Sequence, residues 1–561
     1  MDNVAIADNF SLLSKLMDIH GENPFKTKTY SIAAFNIEKL PSSLSDTPRE
    51  KLFSIKGIGE SIGKKVIEML DTGQLGVLND YILKTPPGVI EMLNIKGIGP
   101  KKIHTVWKEM GIESLGELLY ACNENRLTLY KGFGEKTQKN IQESIEFYLL
   151  NQGSFLYAQL EDIFPQIDNY LKKIFTPDKV HVTGAYRRHD ITIDELEFII
   201  LEKNETIKPK FQTAQPPELL EETDKSILYK LKNGLKLRLY TGGTNRAEEL
   251  FRTTGSAVFL EAFLKKYPNL KYKGDETEDD AVIFEKAKIP FIPPFLRETA
   301  EIIDKAKNNK LPALIQPGDV KSIIHSHSNW SDGANTVEEM ANECIKRGFE
   351  YLVLSDHSKS AFYANGLTEE RIREQHHYID ELNAKLKPFK IFKSIECDIL
   401  NDGSMDYSND ILATFDLVIA SVHSNLKMPE EKAMTRLMNA ISNPYVTILG
   451  HMTGRLLLSR NGYPVDHKKI IDTCIKNNVV IELNAHPRRL DVDWKWIDYI
   501  TSNGGLISIN PDAHALEGYD DIKFGSLAAQ KGGLTKENNL SSFSLQQFED
   551  FLQKRRKAKK I

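Results

Sequence analysis

The chain has 561 residues, 78 acidic side chains against 73 basic ones and a net charge of −5, so it is long enough for three or four separately cored domains. A slightly acidic balance excludes nonspecific polyanion binding by overall charge, and any nucleic-acid contact must come from local patches. Cys122, Cys344, Cys397 and Cys474 are scattered without close pairing, which excludes a secreted disulfide scaffold. The N-terminal MDNVAIADNF lacks a basic segment followed by an apolar one, and no run approaches membrane-spanning length. The expectation is a soluble cytoplasmic protein with no membrane contact.

Residues 1–152 read as helical and contain an internal repeat. Phe53-Ser-Ile-Lys-Gly57-Ile-Gly59, Leu93-Asn-Ile-Lys-Gly97-Ile-Gly99 and Leu129-Tyr-Lys-Gly132-Phe-Gly134 each precede an amphipathic helix with lysines near its start: Lys64 and Lys65, Lys101 and Lys102, Lys136 and Lys139. Glycines permit a tight turn and bring backbone N–H groups to a helix N-terminus, a ready anion site. Lysines alongside add counterion release. One Gly-x-Gly turn is an ordinary helix connection, but three with the same flanking chemistry point to a nucleic-acid backbone. Such contacts position a protein without reading sequence.

From about residue 155 the texture changes to α/β. Val180-His-Val-Thr-Gly184-Ala185-Tyr-Arg187-Arg188 precedes Asp194-Glu195-Leu-Glu197-Phe-Ile-Ile-Leu, a strand with acids at i and i+2. Leu235-Lys236-Leu-Arg238-Leu-Tyr240, Thr253-Thr254-Gly255-Ser256 and Ile289-Pro-Phe-Ile-Pro293-Pro294-Phe-Leu-Arg297-Glu298 follow.

The densest chemistry begins at Ser322. Apolar runs end at His325 and His327, at Asp356-His357, at Glu396, at His423, at His451, and before Asp512-Ala-His514, with Asp332 close behind the first pair. His325 and His327, at i and i+2, can face one ion from a strand's end. Helix-length amphipathic segments lie between the runs, for example Val337 to Arg347, Glu369 to Leu386 and His467 to Asn477. With Val479 to Asn484 counted, seven strands alternate with helices, the pattern of a parallel α/β barrel with its chemistry at the C-terminal rim. One histidine at a strand end is usually structural, but six strands of seven delivering His, Asp or Glu to one rim point to metal. Mixed imidazole and carboxylate suit zinc, manganese or iron better than magnesium, and the absence of thiolate argues against a structural zinc clamp. Clustered ions lower the pKa of a water and stabilise the charge of a phosphoryl transfer, so a phosphoester is the natural substrate.

At these residues the C-terminal region resembles a PHP (polymerase and histidinol phosphatase) domain. The resemblance carries over His325, His327, Asp332, His357, Glu396, His423, His451, Asp512 and His514 as ligands and catalytic residues, and implies three divalent ions in a distorted seven-stranded barrel. Manganese is the implied functional ion, with zinc or iron as alternatives. Arg455 and Arg489 match family positions that could meet a phosphate or enter a surface salt bridge. The Gly-x-Gly repeats resemble helix-hairpin-helix motifs, which implies contacts from Gly57, Gly59, Lys64, Lys65, Gly97, Gly99, Lys101, Lys102, Gly132, Gly134 and Lys136 to DNA phosphates, with room for a monovalent cation.

Taken in order, the whole chain resembles bacterial family X DNA polymerases carrying a C-terminal PHP domain. The implied layout is an N-terminal helical domain over 1–83, a fingers-like region with two further hairpins over 84–152, a nucleotidyltransferase-like palm and thumb over 153–315, a PHP barrel over 316–545 and a disordered basic tail over 546–561. The palm departs from the family where polymerisation is carried out. Ala185 replaces a serine, Glu195 and Glu197 replace paired aspartates, Lys236 stands at the third aspartate, and Arg252-Thr253 replaces an aromatic pair. Magnesium needs short octahedral oxygen coordination, so these changes argue against palm metal and against polymerisation. Gly184, Arg187, Arg188, Glu195 and Glu197 remain candidates for a nucleotide or 5′-phosphate; otherwise the palm is a spacer. Lys65 matches the family's lyase lysine, with Lys64 as a cation to activate it.

The expectation is a monomeric, nucleoid-associated repair nuclease that grips gapped, nicked or abasic DNA. It would act as a 3′-5′ exonuclease, with abasic-site endonuclease or 3′-phosphatase action as extensions. The alternatives are an active gap-filling polymerase, a small-molecule phosphatase of the histidinol-phosphate kind and a DNA-binding scaffold.

Overall fold

In the computed structural model of the chain, every residue is described except 56–57, 124–125, 151–152, 212–215, 233, 244, 271–277 and 459–460. The backbone divides into two units, Met1–Gln152 and Gly153–Ile561.

The first unit is helical throughout its described residues. Its long helices start where the sequence supplies caps: the Asp2 carboxylate accepts from Ala5 N at 2.7 Å before Asn3–Ile19, and Asn23 caps Pro24–Glu38 with proline in the first turn. Phe10, Leu13, Met17, Ile37, Val66, Ile103 and Ile145 share one buried core. Gly97 and Gly132 adopt the same left-handed backbone, φ +92° and +91°. A Cβ on Gly59, Gly97, Gly99, Gly132 or Gly134 would meet nothing within 4 Å. These glycines therefore serve the turn and leave backbone open to solvent; they do not fill a packing gap.

The second unit holds two sheets of consequence. The five-stranded one contains Val180–Thr183, Glu195–Ile200, Lys236–Tyr240, Ser226–Lys230 and Glu218–Thr223, in that spatial order. Glu195–Ile200 runs parallel to Lys236–Tyr240, with Glu195 opposite Lys236 and Glu197 opposite Arg238.

The seven-stranded sheet is wholly parallel and its strands lie in chain order: Ser322–Ile324, Tyr351–Leu354, Lys390–Asp398, Leu417–Ser421, Val446–Leu449, Val480–Asn484 and Ile507–Asn510. Every residue of the first, second, fourth, fifth, sixth and seventh strands is buried, as befits a parallel sheet covered on both faces. The ring closes at a seam where Ser326 bridges Ala513 and His327 N donates to Ala513 O at 2.8 Å. Outer helices follow the amphipathic segments, and the Thr336–Glu339 capping box starts Val337–Lys346.

The basic tail is corrected by the structure. Residues Leu545–Lys559 form a helix, begun by a Ser544–Gln547 capping box. Phe548 is fully buried, stacked on Tyr351 at 4.7 Å and edge-on to Phe392 at 4.9 Å. Arg555, also buried, donates to the carbonyls of Asn478, Pro444 and Val446, and Arg556 donates to Phe415 O. The apolar residues of this segment at helical spacing outweigh its charge, and Arg556, Lys557 and Lys559 suit the negative end of the helix dipole. The helix plugs the end of the barrel where the strands begin.

Phe548→Ala is expected to cost about 3–5 kcal/mol, read as a lower denaturant midpoint together with new proteolysis in residues 545–561. A second expectation concerns Asp280, which is fully buried and accepts from Arg187 at 2.7 and 2.9 Å and from Arg297 at 2.5 Å. Burial opposes its charge, but the guanidinium of Arg187, with Asp279 and Arg297, outweighs burial and holds the carboxyl well below its usual range. Its stabilisation is therefore present above about pH 4 and is lost as pH falls through the carboxylate range. Asp280→Asn should cost about 3–5 kcal/mol at neutral pH, and the difference from wild type should narrow in unfolding curves taken at progressively lower pH.

Candidate metal centre

All nine residues singled out at the strand ends converge on the open rim of the barrel, and their donor atoms form three overlapping groups. His325, His327, Glu396 and Asp512 make one, His327, Asp332, His357 and His514 a second, and His357, Glu396 and His423 a third, the atoms of each lying within 4.8 Å of one another. His451 joins through Glu396, with Nε2 at 2.9 Å from Oε1.

The route to this convergence differs from simple strand alternation. The first strand ends at Ile324, and His325 turns into a left-handed backbone, φ +63°, as does Asp512 at +53°. That turn lets His325 and His327 share an ion-sized space, their ring centroids 5.4 Å apart. Glu396 does not follow its strand but lies inside it, since pairing with Leu417–Ser421 prolongs the ladder to Asp398.

Glu396 is the hub. Its oxygens lie 3.2 Å from His325, 3.6 Å from His327, 3.0 Å from His357 and 3.1 Å from His423. Around it, His325 Nε2, His327 Nδ1, His357 Nδ1, His451 Nδ1 and Glu396 Oε2 are buried without a hydrogen-bond partner. Buried polar atoms left so are costly, and a divalent cation among them supplies the missing interaction. The residues therefore fit the metal cluster that the donor chemistry implies.

Electrostatics sort the imidazoles. Burial, with His357 and His514 nearby, lowers His327 to about 3, leaving a neutral ligand. Burial also opposes charge on His423 and His514, but Glu396 with Asp398 and Asp332 with Asp512 overcome it, raising them to about 10 and about 9. On Asp332 burial is outweighed chiefly by His514, and the carboxyl falls to about 2.

Three acids that the sequence analysis did not assign to the site brace it. Glu482, in the sixth strand, accepts from His325 Nδ1 at 2.6 Å, from His451 N at 3.0 Å and from Asn510 at 2.8 Å. Asp398 holds His423 Nδ1 and accepts from Ser360 Oγ at 2.7 Å. Asp356, paired only nominally with His357 in the sequence, accepts from Ser328 N, Ser328 Oγ and Gln375 at 2.7–2.8 Å and so ties the loop after the first strand to the second. The signal available was an acid inside an otherwise apolar run, Ile481-Glu482-Leu483, and an acid two residues past Glu396.

Of the two arginines, Arg489 stands at the edge of the cluster, Nε 3.5 Å from Asp512. Arg455 is committed to Asp493 at 2.6 Å and to Arg489 O at 3.0 Å.

In the palm, Arg238 pairs with Glu195 at 2.5 Å, and Glu197 accepts from Ala185 N at 2.8 Å and Tyr240 OH at 2.9 Å. Burial pushes the Glu197 carboxyl up. A Cβ on Gly184, φ +62°, would strike Glu197 at 1.7 Å, so only glycine fits there. Arg187 is taken by Asp280 and Thr254, and Arg188 by Glu298, Asp190 and the Thr254 carbonyl.

Among the hairpin residues, Lys101, Lys136 and Lys139 are exposed, Lys102 donates to Gly97 O at 3.3 Å, and Lys64 is paired with Glu60 at 2.6 Å. Lys65 lies 5.9 Å from the Tyr30 ring centroid. Gly57 lies outside the described residues.

A seven-stranded parallel barrel with this donor set, in one chain with helix-hairpin-helix repeats, defines a PHP domain joined to a helical nucleic-acid-binding region. Residues 1–75 match the helix-hairpin-helix domain, 89–146 the SAM-like helix-hairpin-helix tandem and 324–486 the PHP domain. The chain is 33% identical over 568 residues to the "DNA polymerase/3'-5' exonuclease PolX" of Bacillus subtilis (strain 168), covering 96% of this chain and 97% of that one. It belongs to this PolX family, the bacterial family X DNA polymerases with a C-terminal PHP domain. Shorter similarities reach a probable phosphatase of Thermoanaerobacter sp. (strain X514), 30% over 168 residues with 28% of this chain and 62% of the relative covered. The "Probable phosphatase YcdX" of Escherichia coli O127:H6 is 24% identical over 206 residues, 34% of this chain and 77% of its own.

Glu482→Gln keeps all nine candidate ligands but removes the carboxylate behind His325. It is expected to weaken divalent-ion binding about 10- to 100-fold, measured by calorimetric titration of stripped protein with Mn2+, while the far-ultraviolet circular dichroism stays unchanged.

Proposed function

We propose that the protein is a DNA-repair nuclease that hydrolyses phosphodiesters at 3′ ends in the PHP barrel while its helix-hairpin-helix units hold gapped, nicked or abasic DNA. The observation that carries the reading is the convergence of eight candidate ligands into three overlapping donor groups, with His451 beside them on Glu396. His325, His327, Glu396 and Asp512, then His327, Asp332, His357 and His514, then His357, Glu396 and His423 with His451 beside them, would hold three divalent ions, manganese in function. Bound there, such ions supply a nucleophilic water at neutral pH and neutralise charge on a phosphoryl group.

The chain's own residues do the rest. Glu482 and Asp398 hold His325 and His423 by their outer nitrogens and so fix which nitrogen faces the centre. Arg489 brings a cation to the rim, where a phosphate oxygen of the strand can pair with it. Exposed glycine turns with Lys101, Lys136 and Lys139 offer contacts to DNA phosphates that are indifferent to sequence. Abasic-site cleavage and 3′-phosphate removal belong to the same chemistry. The protein acts as a monomer in the cytoplasm, at the nucleoid.

The palm in this reading holds no metal pair, because Glu195 faces a guanidinium and Glu197 is spent on a backbone N–H and a tyrosine. The Bacillus subtilis relative's name includes DNA polymerase, an activity that this palm is expected to lack. A lyase function for Lys65 gains nothing from Lys64, whose charge is paired with Glu60 on an exposed face.

The deciding experiment incubates the protein with a 5′-labelled gapped duplex and Mn2+, with and without the four nucleotides. The primer is expected to shorten in both mixtures and to stay intact with His325→Ala. Extension in the presence of nucleotides would overturn the reading of the palm. Turnover of a free sugar or amino-alcohol phosphate with no action on DNA would replace the nuclease by a small-molecule phosphatase.

A further inference from the structure

Beside the third donor group lies an open cleft of about 530 Å3, lined by Ser360, Phe362, Asp398, Asn401, Asp402 and His423 among others. We propose that this cleft seats the 3′-terminal nucleoside of the strand being trimmed, and that Phe362 is the platform on which its base stacks. The inference rests on the nuclease reading above and deepens it.

Charge decides which part of a nucleic acid enters. None of the residues lining the cleft is lysine or arginine, and Asp398 and Asp402 put two carboxylates on its wall. A phosphate is repelled there, whereas an uncharged sugar and base are not. Position decides which nucleoside. His423 and Asp398 are the wall shared with the donor cluster, His423 Nε2 lying 3.1 Å from Glu396, so an occupant is continuous with a phosphodiester held at the ions. A pocket of this size, joined to the centre on one side and open on the other, suits a chain end.

Phe362 is 86% exposed, yet it does not sit on a loose loop. Ser360 N donates to Asp406 at 2.7 Å, Ser360 Oγ to Asp398 at 2.7 Å, and Lys359 N to Tyr407 OH at 3.0 Å. Past the ring, Gly366 N closes onto Ala361 O at 3.1 Å, and a Cβ on Gly366 would strike Ser358 O at 1.9 Å. Asn365, in a left-handed backbone with φ +55°, donates to Trp330 O at 3.2 Å. The loop is thus pinned on both sides of a large apolar ring that it holds out at the mouth of the cleft. Every base offers a π face, so a stacking platform grips a chain end without choosing its sequence. Asn401, which lines the cleft and accepts from Asn425 Nδ2, brings an amide group to it for the sugar or base edge.

The test uses single-stranded oligonucleotides carrying 2-aminopurine either at the 3′ terminus or ten nucleotides inside, titrated with the His325→Ala protein so that nothing is cut. Terminal fluorescence should be quenched on binding, and Phe362→Ala should abolish the quenching and weaken binding between about 5-fold and 100-fold, the range of base–aromatic stacking. Phe362→Trp should restore both, and the internal probe should report little change. In the active protein Phe362→Ala should raise KM for the oligonucleotide and leave hydrolysis of methyl p-nitrophenyl phosphate, which has no base, within about twofold. Unaltered quenching and affinity in Phe362→Ala would overturn the proposal, as would an equal loss on both substrates. If wild-type protein fails to cut DNA but the quenching still depends on Phe362, the nuclease reading falls and the 3′-end subsite stands.

Discussion

The barrel is organised around one buried carboxylate. Glu396 is approached by five imidazoles, those of His325, His327, His357, His423 and His451, in a region where solvent is excluded. Burial penalises every charge there, and several donor atoms have no hydrogen bond to offset it. Holding such a cluster together requires a stiff backbone beneath it. Parallel strands buried on both faces provide that stiffness, and the left-handed residues His325 and Asp512 sit where the first and last strands are stitched together. Strain and ligand placement coincide at the seam, as strained backbone often does at functional sites.

The two ends of the barrel solve opposite problems. At the rim, carboxylates behind the histidines fix their orientation and leave the inward nitrogens facing the centre. At the other end the interior must be sealed, and the C-terminal helix does this with Phe548 and Leu552 against Tyr351, Phe392 and Leu417. Its Arg555 and Arg556 satisfy carbonyls that the ends and connections of the strands leave over. A segment that reads as a charged tail is in this way part of the scaffold that holds the ligands apart.

What was legible in the sequence follows from which interactions are local. Runs of apolar residues closed by His, Asp or Glu mark most of the candidate ligands, and these reach one rim together with Asp332 from the loop behind His327. The seven strands and the helices between them were legible for the same reason, through period and length. Glu482 was not, because a braced acid inside a buried strand looks like a flaw in the pattern until its partner His325, 157 residues away, is known. Side-chain pairing in the palm was also invisible. The sequence put Lys236 at the place of a third acid, and the strand pairing does set it opposite Glu195; what the sequence did not show is that Arg238, opposite Glu197, is the residue that pairs with Glu195. The tail was misread because its charge was weighed ahead of the Phe548–Leu552 spacing that buries it.

The arginines and the acids of the palm are held by different parts of the second unit. Arg188 is held by Glu298 and Asp190, and Lys531 of the barrel, with its side chain wholly buried, donates to Asp190, to Glu298 and to the Arg188 carbonyl at 2.5–2.9 Å. Lys531 is wholly buried among partners that keep some exposure, so removing Asp190 or Glu298 takes away one of the two carboxylates that neutralise a buried ammonium. Glu195 and Glu197 carry no such obligation, since each is satisfied within the palm itself. Arg188 is therefore tied to the joint between palm and barrel, whereas Arg187 is held by Asp280 and Thr254. Among the described residues the two glutamates have no partner in the barrel: Glu195 is paired with Arg238, and Glu197 accepts from Ala185 N and Tyr240 OH.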